Sequence, residues 1–323
     1  MKRIAVLTSG GDAPGMNAAV RAVARAALAQ GWEAHGVKNG YAGLLADAIA
    51  PLAARDVGGI VQRGGTFLGS ARCPEFAQAP GRAKALRNLA ARGIEALVVI
   101  GGNGSQTGTA SLAKEGFAAV GVPSTIDNDL YGTDISIGAD TAINVTLEAI
   151  DRLRTTASSH QRAFVVETMG RDCGYIALMA GIAGGAEVIA IPEREVEPAE
   201  IAERLRAAYR RGKTHALVVM AEGAQHGVQA LLKHYGEQKD TIGFDLRLTR
   251  LGHVVRGGVP TAADRVLATR LGAAAVSSLA AGRHGVLMGM HKGAIAATPL
   301  AEVGGRMRPA DAALLDLART MAL

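Results

Sequence analysis

At 323 residues the chain exceeds one ordinary hydrophobic core, so two domains are expected. Its 35 basic against 29 acidic residues give a net charge of +6, but the arginines are scattered and aromatic residues make up only 3%, which argues against nucleic-acid binding and favours small phosphorylated ligands. No apolar run is long enough for a bilayer, the start MKRIAVLTSGG lacks a secretory apolar region, and Cys73 and Cys173 follow no disulfide or metal spacing; no membrane partner and a reducing cytoplasm are expected.

Residues 4–7 form a short, unalternating apolar run of the kind a central parallel strand shows, and TSGGDAPGMN leads from it into the helical AAVRAVARAALAQG. Asn17 is the expected helix N-cap and Gly31 the expected terminator. Gly10, Gly11 and Gly15 allow backbone N–H groups to approach an anion at the helix start, although the turn is neither a P-loop nor GxGxxG. Arg21 and Arg25 lie one turn apart, as a solvated face or as a phosphate-binding pair at a subunit boundary.

The loop RGGTFLGSARCPEF, from Arg63 to Phe76, holds three glycines, two hydroxyls (Thr66, Ser70) and two arginines, and is expected to clamp a phosphate or nucleotide. Helical GRAKALRNLAARG leads to a second strand at 96–100, tipped by GGNGS; a third at 118–122 closes at Pro123 and is tipped by STIDNDLYGTD. If the chain stays extended past Pro123, Thr125, Asp127 and Asp129 share one side, with neighbours about 6–7 Å apart. That spacing suits a metal ion or a general base beside a phosphate, and a loop capping its own turns is the alternative. Strand tips of this kind converge at the carboxyl edge of a parallel sheet, where ligands bind.

From Asp140, TAINVTLEAIDRLRTTASSHQR reads as a helix with Ile143, Leu147, Ile150 and Leu153 on one face. RAFVVETMGRDCGYIALMAGIAGG gives a strand, a turn holding Arg171 and a helix. Strands follow at 188–191 and 216–220, the second leading to Glu222, with the charged helix EPAEIAERLRAAYRRGK between them. AEGAQHGVQALLKHYGEQKD is polar and suits an irregular helix, LGHVVRGGVPTAADR is a glycine-flanked segment, and GVLMGMHKG is a late strand. The two runs of β–turn–α units divide near residue 140.

The blocks LTSGGDAPGMNA, RGGTFLGSAR, VVIGGNGS, TIDNDLYGTD, DRLRTTASSHQR, VVETMGRDCG and LGHVVRGGVPTAADR, in order over nearly the full length, resemble the bacterial ATP-dependent 6-phosphofructokinases. The resemblance implies an α/β fold of two three-layer α/β/α domains with mostly parallel sheets. Residues 1–138 with 251–300 would bind ATP, and 139–250 with 301–323 would bind fructose 6-phosphate. It implies transfer of the γ-phosphoryl of Mg-ATP to the 1-hydroxyl of fructose 6-phosphate in glycolysis, by a cytoplasmic homotetramer with Mg²⁺ as cofactor.

By that resemblance, Gly11 and its turn meet the ATP phosphates, Arg72 reaches the γ-phosphoryl, and Gly102, Asn103, Gly104 and Ser105 line the nucleotide. Tyr41 and Cys73 match positions near the adenine. Met169, Gly170, Arg171, Glu222, His253 and Arg256 match the sugar-phosphate positions, and Arg162 and Arg247 match those contributed across a subunit interface. Asp127 is the implied catalytic base, Thr125 bonds the transferring group, Asp129 lies on the metal side with Asn103, and Arg72 and Arg171 offset charge on the phosphoryl oxygens. Arg21, Arg25, Arg154, Glu187, Arg211 and Lys213 match an effector site for ADP or phosphoenolpyruvate, with Glu187 able to hold a diphosphate's metal; Arg55 lies one position from another expected arginine.

Two departures stand out. Asn103 replaces a metal-associated Asp, removing a charge, and Ser124 replaces a Gly, where a side chain is expected to narrow the phosphate cradle or resist a glycine-type backbone angle. They leave open a catalytically weakened homologue acting as a regulatory subunit. A pyrophosphate-dependent enzyme is a further alternative, disfavoured by Gly104 and the short chain.

Overall fold

The computed structural model describes residues 2–159 and 162–322. In chain order β1 (Arg3–Ser9), α1 (Met16–Ala29), β2 (Glu33–Val37), α2 (Gly40–Leu45) and β3 (Ile49–Pro51) are followed by the clamp loop and a 3-10 turn, Pro74–Ala77. Next come α3 (Ala79–Ala91), β4 (Ala96–Gly101), α4 (Asn103–Lys114), β5 (Ala118–Pro123), α5 (Ala139–Ser159), β6 (Arg162–Thr168), α6 (Tyr175–Ala183), β7 (Val188–Ala190), α7 (Pro198–Arg210) and β8 (Ala216–Ala221). The chain continues through α8 (Gly227–Ile242), β9 (Asp245–Arg250), the 3-10 turn Gly252–Arg256, α9 (Ala262–Ala280), β10 (Val286–His291), β11 (Ala294–Pro299), α10 (Leu300–Val303) and α11 (Leu314–Met321). The expected helix after Asp140 is α5; His160 and Gln161, at the end of that reading, lie outside the described residues.

These elements form two compact units: Met1–Ile126, Leu130–Thr141 and Arg256–Met307 make the first, and Asp127–Asp129, Ala142–Val255 and Arg308–Leu323 the second. Compared with the expected boundaries, 251–255 move to the second unit because Leu251 continues the pairing of β9 with β6 (its N–H donates to the Glu167 carbonyl at 3.0 Å) and packs beside Phe164 and Val166. Residues 301–307 move to the first, where Leu300 and Val303 are buried against Leu130 and Leu287. Residues 139–141 also fall in the first unit and 127–129 in the second, where the Asp129 carbonyl accepts from Arg308 N at 2.7 Å.

The first unit has a seven-stranded sheet in the order β11-β10-β5-β4-β1-β2-β3, parallel except for its two edge strands. Strands buried on both faces read as continuous apolar runs, which is why β1 and β4 were legible. Ala5, Leu7, Leu97 and Val99 pack under α2, α3 and α4 with Leu44, Leu89 and Leu112, while α1 and α9 pack together on the opposite face. The second unit has a parallel sheet, β7-β8-β6-β9. Its alternate residues face α7 and α8 (Val165, Val218) or α5, α6 and α11 (Val166, Val219), completing three layers.

Asn17 does not cap α1. Gly15 holds the N-cap position at φ 102°, and the Asn17 side chain instead donates to the Arg63 and Gly64 carbonyls (3.0 and 3.2 Å) and accepts from Phe67 N (2.6 Å). Gly31 ends the helix as expected, with φ 71° just beyond the C-cap.

Candidate active site

In the first unit the chain order reverses direction at β1: β2 lies on one side of it and β4 on the other. Ligands in open α/β sheets settle at the carboxyl ends of the strands at such a switch. There Ser9, Gly101 and Pro123 are level in register, so the tips following β1, β4 and β5 leave the sheet together. Gln106, fully buried in the first turns of α4, fixes two of them by donating to the carbonyls of Val99, Gly101 and Val122 at 3.3, 2.9 and 3.2 Å. Sequence reasoning missed this residue, whose only signal is a polar side chain on the buried face of a strand-following helix.

The tip after β1 is a close-approach turn. A Cβ at Gly11 would lie 2.5 Å from Arg256 Nη1, and that guanidinium donates to the Asp12 carbonyl at 3.0 Å. Arg256, matched to a sugar-phosphate position, lies in the first unit, over the glycine turn. The clamp loop is pinned to the same turn: Ser70 Oγ donates to the Gly10 carbonyl at 2.7 Å and Thr8 Oγ1 to that of Gly69 at 2.9 Å. Gly64 passes the Gly258 carbonyl so closely that a Cβ would lie 2.1 Å from it. Arg72 follows, exposed.

After β4, Gly102 is the N-cap of α4 and Asn103 its first residue, so Asn103, Gly104 and Ser105 place backbone N–H groups at the positive end of a 12-residue helix. Gly104 is exposed, with open space where a side chain would project, while Ser105 is buried and its carbonyl accepts from Tyr41 Oη at 2.7 Å. Tyr41 is itself buried and stacks on Phe76, ring centroids 3.9 Å apart, and burial raises its phenol pKa. Cys73 is half-buried just ahead of Phe76.

The stretch after β5 is not extended. Ser124 pairs with Ile137, Ile126 and Asp127 form a turn, and Asn128 takes φ 52°, so Thr125, Asp127 and Asp129 do not line one side as a continued strand would place them. Asp127 and Asp129 are buried, at 4% and 8% exposure, and Thr125 is half-buried. Ser124 does not behave as expected either. It is absent from the left-handed residues, and its buried hydroxyl donates to the Ile137 carbonyl at 3.3 Å, an ordinary β-bridge environment.

In the second unit, Met169, Gly170 and Arg171 follow the carboxyl end of β6, Glu222 follows β8 and His253 follows β9. Glu222 Oε1 accepts from Gly170 N (3.3 Å) and Arg171 N (3.1 Å), binding adjacent tips. Arg171 is exposed in a left-handed conformation, φ 51°, and Gly223 lets its carbonyl pass where a Cβ would lie 1.8 Å away. Sequence reasoning missed Gly223. Cys173 just beyond is buried, which pushes its thiol up to about 12.

Arg162 and Arg247 lie at the other end of that sheet, at the amino-terminal start of β6 and β9, and both face Asp245 (3.9 and 2.5 Å). Arg162 thus has a carboxylate neighbour on the adjacent strand, which its local sequence does not reveal. Arg154, Glu187, Arg211 and Lys213 also belong to this unit, whereas Arg21 and Arg25 lie on the outer face of α1 in the first. Glu187 accepts from Lys213 Nζ (3.1 Å) and Leu217 N (2.5 Å), Arg154 donates to the Gly184 carbonyl, and Arg211 and Lys213 both donate to the Ala322 carbonyl.

Residues 3–279 match the family described as Phosphofructokinase. ATP-dependent 6-phosphofructokinase 1 of Thermus thermophilus is 54% identical over 324 positions covering all of both chains. The ATP-dependent 6-phosphofructokinase of Streptococcus suis is 52% identical over 93% of this chain and 88% of its own. Among solved structures, the phosphofructokinase of Saccharomyces cerevisiae superposes with a TM-score of 0.85 at 41% identity, over 94% of this chain and 45% of that one. A pyrophosphate-dependent phosphofructokinase of Marinobacter aquaeolei, 24% identical with a TM-score of 0.84, shares the fold. A doubly wound α/β chain is thereby placed: it belongs to the phosphofructokinase family.

Proposed function

We infer that the protein is an ATP-dependent 6-phosphofructokinase, moving the γ-phosphoryl of ATP to the 1-hydroxyl of fructose 6-phosphate in glycolysis. The observation that carries this reading is the level set of three tips at the switch point, built from Gly11, Asn103 and Thr125, in a chain matching ATP-dependent relatives along its whole length. The backbone N–H groups at 10–12 and at the start of α4 would hold the phosphates, and Arg72 the transferring group. Tyr41 would support the adenine wall through Phe76, beside Cys73. Met169, Arg171, Glu222 and His253 would hold the sugar phosphate.

Asp127 would take the proton of the attacking hydroxyl, since phosphoryl transfer asks of the protein mainly positioning, charge stabilisation and one base. Thr125 would orient the transferring group, and Arg72 and Arg171 would offset the charge on its oxygens. Asn103 and Asp129 offer only oxygen donors, the chemistry a hard Mg²⁺ ion prefers. When bound, Mg²⁺ would neutralise phosphate charge; the loss of one carboxylate at Asn103 leaves more of that task to Asp129 and the phosphates.

A cytoplasmic homotetramer is the setting this reading favours: the two cysteines are unpaired, and Arg162 and Arg247 lie away from the tips their own chain would use. Arg21 and Arg25 with Arg154, Glu187, Arg211 and Lys213 would form the effector site for ADP or phosphoenolpyruvate. A coupled assay with fructose 6-phosphate tests the function, first with Mg-ATP and then with pyrophosphate. Turnover with ATP alone is expected; activity with neither donor, or only with pyrophosphate, would overturn it.

A further inference from the structure

Outside these residues, among the described ones, Glu195, Glu197 and His226 place three ligand atoms within 4.8 Å of one another. His226 Nε2 lies 2.7 Å from Glu195 Oε1 and 3.2 Å from Glu197 Oε1. We propose that these three side chains form a binding site for a borderline divalent transition-metal ion of the Zn²⁺ type, separate from the site of phosphoryl transfer.

The backbone presents the ligands for this purpose. The segment before α7 is extended at Glu197 (φ −67°, ψ 142°), and Val196 between the two glutamates is buried, so alternation turns both carboxylates outward together. His226 ends the tight turn after β8, closed by the Gly227 N to Ala224 carbonyl bond at 3.0 Å. Val196 and Val228 are packed in the same core, which anchors both ligand-bearing segments. The single Nε2 atom of the imidazole faces two converging carboxylates. A divalent cation among them is attracted to all three atoms. Two carboxylate oxygens and one imidazole nitrogen, with positions left for water, suit Zn²⁺, whose bonds to such ligands are about 2.0–2.2 Å. The site would tie the loop before α7 to the turn before α8.

Calorimetric titration of tag-free, chelator-treated protein with ZnCl₂ tests the proposal, beside His226→Ala and Glu197→Gln variants checked for folding by circular dichroism. One equivalent per chain is expected, with affinity reduced by at least about tenfold in each variant and a Zn²⁺-dependent rise in Tm seen only in the wild type. Saturable binding unchanged in both variants, or no wild-type binding at micromolar Zn²⁺, would overturn it.

Discussion

At Asp127 the carboxylate is buried within a turn, so replacement by asparagine removes the charge with little change of volume. If this group takes the proton, Asp127→Asn lowers kcat by about two to four powers of ten and leaves both KM values within a few-fold; steady-state kinetics decide, and near-normal kcat would exclude the role. Arg171 permits a sharper separation of side chain from backbone. Because its φ is 51°, Arg171 already bears the cost of a left-handed Cβ, about 1–2 kcal/mol; Arg171→Ala keeps that cost, while Arg171→Gly removes it together with the guanidinium. Both variants should lose sugar-phosphate affinity alike, and the glycine variant should have a Tm at or above that of the alanine variant. Motif residues were legible because their chemistry is local: glycines before a helix, carboxylates after a strand. Ser124 and Asn17 were misread because their partners, the Ile137 carbonyl and the 63–67 backbone, are remote in sequence.

Helix α5 shows how one element depends on another. Asp264 on α9 is fully buried and accepts from Gly138 N and Thr141 N at 2.8 Å each and from Thr141 Oγ1, so it caps α5 from outside that helix. Asparagine there would turn an amide toward donors, and Asp264→Asn is expected to cost about 1–3 kcal/mol, read as a lowered Tm. Burial, outweighing these hydrogen bonds, raises the Asp264 pKa above its ordinary 3.8. The folded state therefore holds this proton more tightly than the unfolded chain. The group's stabilising contribution is fullest below 3.8 and declines as pH rises through the elevated value, so the wild-type margin over Asp264→Asn should narrow in that window. A margin that widens there would contradict the assignment. Strand β9, DLRLTR, was overlooked for an elementary reason: Leu246 and Leu248 alternate with exposed or half-exposed polar residues, so it lacks the continuous apolar run that marks its neighbours. The short edge strands β3 and β11 carry few large side chains, so their signal is weak.

For the whole molecule, the placement of Arg162 and Arg247 is the informative feature. Strand β6 separates Arg162 from the tip holding Met169 and Arg171 by six residue steps, about 20 Å at the rise of a strand. An arginine at the amino-terminal edge cannot serve a sugar phosphate held at the carboxyl-terminal edge of its own sheet. If it serves the site at all, it serves that of another copy, as the proposed tetramer requires. In a two-fold interface each chain would then give its arginines and receive its partner's. Asp127→Asn and Arg162→Ser should each be nearly inactive alone. Dissociated together and reassembled, they should regain activity, because an Arg162→Ser chain supplies Asp127 while an Asp127→Asn chain supplies Arg162. Random pairing restores roughly a quarter of the sites. The recovered rate should show a wild-type KM for fructose 6-phosphate, since the repaired sites contain every native group. A mixture that stays at the sum of its parents, with hybrid oligomers demonstrated by mass, would confine Arg162 to its pairing with Asp245 and remove the shared site.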